Sequence, residues 1–275
     1  MSFTASSPPM FYERTGERGP AVLLVMGLGM RGRVWEPQLD GLGHDHRLLT
    51  FDNRGIGESA PFSGHHTMRD FAADAARVAA DAGFDRYHLV GVSLGGMVSQ
   101  ELALAEPERV RSLTLIATHA GGPLGLVPTG AGLLGFAKAN LGPEADRVRA
   151  LSQLLYTPEF LAATDPAVLA RRMQAQVGKR AAPRTLRGQL FAVMRHDTRD
   201  RLGQIAMPTL VIRPGRDLLV RPSHSDHLAR AIPGARLLEI PDAGHGVTFE
   251  AADRVCAAIR AHVAAVERGD AARSA

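Results

Sequence analysis

The chain has 275 residues, 45% hydrophobic and 22% charged, the balance of a globular protein long enough to bury a substantial core. Its net charge of +4 comes from dispersed arginines, with Lys138 and Lys179 as the only lysines and 5% aromatics, which argues against a nucleic-acid-binding face. The single cysteine, Cys256, excludes an internal disulfide, and no apolar run approaches the roughly 20 residues that span a bilayer. The first residues, Met1 to Pro9, lack the basic start and apolar run of a secretory leader. A cytoplasmic protein without a membrane span is the expectation.

Residues 1–9 read as a loose arm, and Met10 to Thr15 as an edge strand closed by the turn Gly16 to Pro20. The run Ala21 to Met26 is apolar throughout, the mark of a strand buried on both faces. It opens into Gly27-Leu28-Gly29 and a short helix around Trp35. Arg47 to Asp52 is the next strand, followed by the turn-rich loop Asn53 to Ser59. Met68 to Ala82 carries Phe71, Ala75, Val78, Ala79 and Ala82 at helical spacing and is stopped by Gly83. A buried strand over Tyr87 to Val92 then meets Gly91-Val92-Ser93-Leu94-Gly95, and a helix runs on to Ala105 before Pro107. Leu113 to Ala117 is another buried strand.

Strands alternating with helices imply crossover connections and a mainly parallel sheet. The rhythm breaks between His119 and about Arg201, where helical patterns (Glu144 to Tyr156, Pro166 to Val177, Thr185 to Met194) follow one another without a strand. It resumes with a strand at Thr209 to Ile212, a helix at Ser223 to Ala231 and a strand at Arg236 to Ile240. A final helix from about Phe249 to Val266 precedes a frayed tail at Ala271 to Ala275. The expected layout is a core of residues 1–118 and 202–275, with residues 119–201 as a helical cap inserted between two late strands. Leu124, Leu126, Val127, Leu133, Leu134, Phe136 and Leu141 either line an apolar pocket or form the cap's own core. Arginines of the same segment (Arg171, Arg172, Arg184, Arg187, Arg195) either receive a substrate carboxylate or lie on solvated helix faces.

Strand, Gly-x-Ser-x-Gly and helix in succession form a nucleophile elbow, which lifts Ser93 above the sheet at the positive end of the following helix. A serine hydroxyl is a weak nucleophile and needs a base, and the base needs an orienting carboxylate. In open parallel sheets such groups gather beyond the carboxyl ends of the strands. Asp217 and His245 occupy turn-rich loops at two such ends, and the order Ser93, Asp217, His245 is nucleophile, acid, base. Acyl transfer also needs donors for a developing oxyanion. The Leu94 N–H follows the nucleophile, and the Leu28 N–H comes from the loop after the first buried strand. No histidine or cysteine pair has metal-ligand spacing, so neither metal nor cofactor is expected.

These motifs resemble the α/β-hydrolase superfamily along nearly the whole chain. Gly91-Val92-Ser93-Leu94-Gly95-Gly96, Asp52-Asn53-Arg54-Gly55-Ile56-Gly57-Glu58-Ser59, Gly215-Arg216-Asp217 and Ala243-Gly244-His245 carry the resemblance. The Asp52-to-Ser59 loop and Pro107-Glu108-Arg109-Val110 are similar to those of small carboxylesterases, 3-oxoadipate enol-lactonases and cofactor-free haloperoxidases. The resemblance implies an α/β-hydrolase fold and a serine esterase or lactonase acting through Ser93, His245 and Asp217 on a small-molecule substrate. It implies a structural loop at Asp52 to Ser59, with no catalytic role for Arg54 or Ser59. Perhydrolysis, carbon–carbon bond hydrolysis and ligand sensing without turnover are the alternatives on the same frame. One departure stands out: many relatives carry His-Gly where this chain has Met26-Gly27.

Overall fold

Continuous apolar runs build the centre of the sheet in the computed structural model, which describes residues 1–122, 129–141, 144–177 and 181–274. Every residue of β3 (Ala21–Val25) and β5 (Tyr87–Val92) is buried, because both faces of these strands are covered. Around them lie β1 (Ser2–Phe3), β2 (Phe11–Thr15), β4 (Arg47–Phe51), β6 (Val110–Ile116), β7 (Thr209–Pro214) and β8 (Arg236–Ile240). The order is β1-β2-β4-β3-β5-β6-β7-β8, antiparallel at β1-β2-β4 and parallel from β4 onward. This is the mostly parallel, helix-flanked sheet that the alternation predicts.

The helices are α1 (Glu36–Leu42), α2 (Met68–Asp81), α3 (Leu94–Ala105), α4 (Gly130–Leu141), α5 (Glu144–Leu155), α6 (Pro158–Ala163), α7 (Pro166–Val177), α8 (Pro183–Met194), α9 (Pro222–Ala231), α10 (Val247–Glu250) and α11 (Ala252–Ser274). Side chains alternate across a strand, and so the core divides in two. Leu23, Val25 and Leu89 pack with Phe71 and Val78 of α2 and Met97 and Val98 of α3. Val22, Leu24 and Val90 pack with Trp35, Leu42 of α1, and Val255, Ile259 and Val263 of α11. The helix α2 starts at Thr67, whose hydroxyl accepts from the Asp70 N–H while the Asp70 carboxylate accepts from the Thr67 N–H.

Both ends of the chain differ from expectation. The arm is not loose: Ser2 and Phe3 pair with Tyr12 and Phe11, and the Phe3 and Phe11 rings meet edge to face at 5.5 Å. A two-residue strand has no periodicity to read, and cross-strand aromatic contact holds it. The last helix runs to Ser274 rather than to Val266. Arg111 reaches its later turns, pairing with Glu267 and Asp270.

Helices α4 to α8 lie between β6 and β7 in the chain. Leu133 and Phe136 of α4 line a cavity, with Leu133 also 59% exposed, whereas Leu134 is 57% exposed and does not line it. Leu124, Leu126, Val127 and the Leu141 side chain lie outside the described residues.

No residue of the Asp52-to-Ser59 loop lines the cavity, and polar contacts hold the loop in place. Arg54 donates from Nε and Nη2 to Asp74 at 2.5 and 2.6 Å, and the buried Asp74 also pairs with Arg77. Removing one member of such a network leaves a buried charge uncompensated. Asp74→Asn is therefore expected to lower the unfolding free energy by about 3 kcal/mol, read from urea denaturation.

Candidate active site

The centre of the site is a backbone that side chains rarely adopt. Ser93, between β5 and α3, has φ 55° and ψ −121°. The turn closes because its neighbours lack Cβ atoms: one added to Gly95 would stand 2.0 Å from the Val25 carbonyl oxygen, and one on Gly91 2.3 Å from that of Gly95. The Ser93 N–H donates to the Ile116 carbonyl at 2.9 Å, and the Thr118 hydroxyl donates to the Ser93 carbonyl at 2.7 Å. The end of β6 thus clamps the elbow from both sides.

Asp217 follows β7 and is 3% exposed. Its Oδ1 accepts from the Leu219 and Val220 N–H groups at 2.8 and 2.9 Å. That fixes the carboxylate with Oδ2 towards His245, whose Nδ1 lies 2.7 Å away. An ionised carboxylate only accepts, so Nδ1 carries the proton and Nε2 of the neutral ring is left as an acceptor. The His245 loop is pinned on both flanks. The Gly244 N–H donates to Glu250 Oε2 at 2.7 Å, and the Gly246 N–H to the Leu155 carbonyl, at the end of α5, at 2.7 Å. Glu250 Oε1 also accepts from the Thr157 N–H at 3.1 Å and from its hydroxyl.

Ser93, His245, Leu28 and Leu94 line one cavity of about 490 Å³. Asp217 stands behind His245, touching the ring rather than the cavity. The Leu28 and Leu94 N–H groups donate to no acceptor among the described residues. At Leu94 this follows from its place in the first turn of α3, where N–H groups have no partner within the helix. At Leu28 it follows from the turn Gly27-Leu28-Gly29, where the Met30 N–H returns to the Gly27 carbonyl at 3.3 Å and Gly29 takes φ 71°.

Met26-Gly27 replaces the His-Gly of the resemblance, and other residues brace the loop. Asn53 Nδ2 donates to the Met26 carbonyl at 3.3 Å, Asp52 Oδ1 accepts from the Gly32 N–H at 2.8 Å, and Gln189 Oε1 accepts from the Gly29 N–H at 2.8 Å. Gln189 sits on α8, fully buried. The sequence reading missed Gln189 and Glu250. Neither lies in a motif, and each meets its loop only through the fold.

His119, also missed, lines the cavity just beyond β6. Its Nδ1 accepts from the Gly121 N–H at 2.9 Å, which places the proton of the neutral ring on Nε2. Burial holds its pKa down at about 3, and the His196 and His224 charges act in the same direction. Burial also holds His196 at about 4. Both rings are neutral at ordinary pH. Among the described residues, no cluster of three or more His, Cys, Asp or Glu could hold a metal ion. No described helix is long and apolar enough to cross a membrane.

The sequence profile of the α/β-hydrolase fold matches residues 20–252, and the chain belongs to that family. A relative from Azorhizobium caulinodans that bears the name carbamate hydrolase RutD is 34% identical over 236 residues, covering 86% of this chain and 88% of its own. The enol-lactonase of Burkholderia xenovorans superposes with a TM-score of 0.82 at 26% identity, covering 96% of this chain and 100% of that one. A thermophilic esterase of Thermogutta terrifontis, solved with malate bound, superposes at 0.80 with 28% identity, covering 96% and 97%.

Two outcomes follow from the braces and the buried rings. Gln189→Ala leaves the Gly29 N–H unpaired and is expected to cost about 1–2 kcal/mol in urea unfolding, with a lower kcat from a loosened loop. His119 and His196 bind protons less readily folded than unfolded, so the unfolded chain holds more protons from about pH 6.5 down towards their folded values. Stability is complete above about pH 6.5 and falls as pH drops through this window, by up to about 1.4 kcal/mol per pH unit for each ring. Denaturant titrations at pH 7, 5 and 4 should show that fall, and His119→Asn should flatten it.

Proposed function

We propose that the protein is a serine hydrolase that cleaves carboxylic esters or lactones through an acyl-enzyme. The observation that carries this is the 2.7 Å contact between His245 Nδ1 and the Asp217 carboxylate, with Ser93 and His245 facing one cavity. Ser93 Oγ attacks the carbonyl while His245 Nε2 takes its proton, and Asp217 holds the ring in the tautomer that leaves Nε2 free. The Leu28 and Leu94 N–H groups receive the oxyanion, which supplies the large electrostatic part of such catalysis. His245 then protonates the departing alkoxide, and water repeats the sequence to release the acid. The segment 119–201 acts as a cap that encloses the acyl chain in apolar surface, and the reaction is placed in the cytoplasm.

A carbamate carbonyl is the second reading, favoured by the relative named for that chemistry at 34% identity. The same attack, oxyanion and proton path apply to it.

A chain-length series of 4-nitrophenyl esters, with and without a fluorophosphonate, tests the proposal. Hydrolysis abolished by modification of Ser93 is the expected result. Ser93→Ala should lower kcat by at least about a thousandfold while the variant keeps the far-ultraviolet signature of the folded protein. Near-normal turnover in that folded variant would defeat the assignment.

A further inference from the structure

The cavity holds a charge that the hydrolytic residues do not use. Arg172 on α7 lines it together with Ser93 and His245, and no other described lining residue is a lysine, arginine, aspartate or glutamate. It is 3% exposed, although Arg171, Arg184, Arg187 and Arg195 of the same segment are exposed. Its Nη1 donates to the Val34 carbonyl at 2.7 Å, and its guanidinium carbon stands 4.7 Å from the centre of the Phe249 ring. Its Nε is sealed from solvent without an acceptor. No carboxylate of the described residues pairs with it.

Three partly covered arginines among the described residues are each matched by an acid. Arg54 has Asp74, Arg111 has Glu267 and Asp270, and Arg213 has Asp226 and Glu239. A guanidinium cannot shed its proton, and its five donors form a planar fork suited to a carboxylate. One carbonyl and one ring face answer only part of that demand, and a buried charge without a counter-charge is costly. Arg172 lines the cavity, so a ligand that enters it can supply the missing partner.

We propose that Arg172 receives a carboxylate of the substrate, and that the protein acts on esters or lactones bearing a free carboxylate beyond an aliphatic spacer. The surfaces around the remaining volume, Leu151, Leu154, Leu186 and Leu190 among them, are aliphatic and suit such a spacer. A neutral substrate of the same length leaves the buried guanidinium without a counter-charge and forgoes a charge-assisted pair. The proposal rests on the serine-hydrolase reading and specifies its substrate class.

The test compares two acyl groups of one length, the 4-nitrophenyl monoester of glutaric acid and 4-nitrophenyl valerate. The wild type should show the higher kcat/KM on the anionic ester. Arg172→Met should lower the anionic-to-neutral ratio by about 10- to 100-fold, the range expected for a charged hydrogen-bonded pair, and Arg172→Lys should keep part of the preference. An arginine that merely pins α7 to Val34 would depress both esters equally, and an unaltered ratio in both variants overturns the proposal. So does a wild type that prefers the valerate. Should neither ester be turned over, the ester-hydrolase reading fails alone, and calorimetry on Ser93→Ala decides the Arg172 proposal. Monomethyl glutarate binding more tightly than dimethyl glutarate, with the difference lost on adding Arg172→Met or reduced on adding Arg172→Lys, supports it. Equal binding of the two, or no binding of the monomethyl ester, overturns it.

Discussion

The end of the sheet that carries the candidate site depends on one strained backbone. A side chain at positive φ costs about 1–3 kcal/mol and persists only where its surroundings leave no alternative. Among the described residues, Ser93 is one of two non-glycine residues in that region, and the other, Ala117 at φ 48°, follows the neighbouring strand. The two adjoin: Ser93 N–H bonds to Ile116, and Thr118 returns a bond to Ser93. Parallel strands β5 and β6 therefore end in matched sharp turns. The loops after β3, β7 and β8 emerge on the same side, because parallel strands all finish at one edge.

That edge explains how much was readable from residues alone. Apolar runs such as Ala21 to Val25 announce strands covered on both faces, and a parallel sheet turns strand ends into neighbours in space. Ser93, Asp217 and His245 could be chosen together for that reason, although 124 positions separate Ser93 from Asp217. The elbow glycines were legible because steric closeness leaves a pattern in sequence. Ser2-Phe3 was not, because two residues carry no period.

The supports of the loops were equally hidden. Gln189 holds Gly29 across 160 positions, and Glu250 serves both Gly244 and Thr157, with no motif to mark either residue. Arg171 and Arg172 are adjacent and alike in sequence, yet one is exposed and the other buried against Val34 and Phe249. Rotation about a helix axis separates neighbours by about 100°, following from 3.6 residues per turn, so composition cannot assign them to one environment. Only the docking of α7 on the core does so.

The bond from Gly246 to Leu155, with Glu250 shared between Gly244 and Thr157, has a consequence for exchange of parts between relatives. A foreign helical segment grafted between β6 and β7 would replace the Leu155 carbonyl and the Thr157 donors that seat the loop of His245. A Cβ at Gly246 would already collide with Tyr156, at 2.3 Å from its ring, which shows how closely the two pieces are fitted. A graft must therefore restore the Leu155 carbonyl and the Thr157 donors, whereas Leu134 on α4 and Arg171 on α7 face solvent and make no such demand. The junction and the histidine loop it holds are one mechanical unit, and a graft has to carry both.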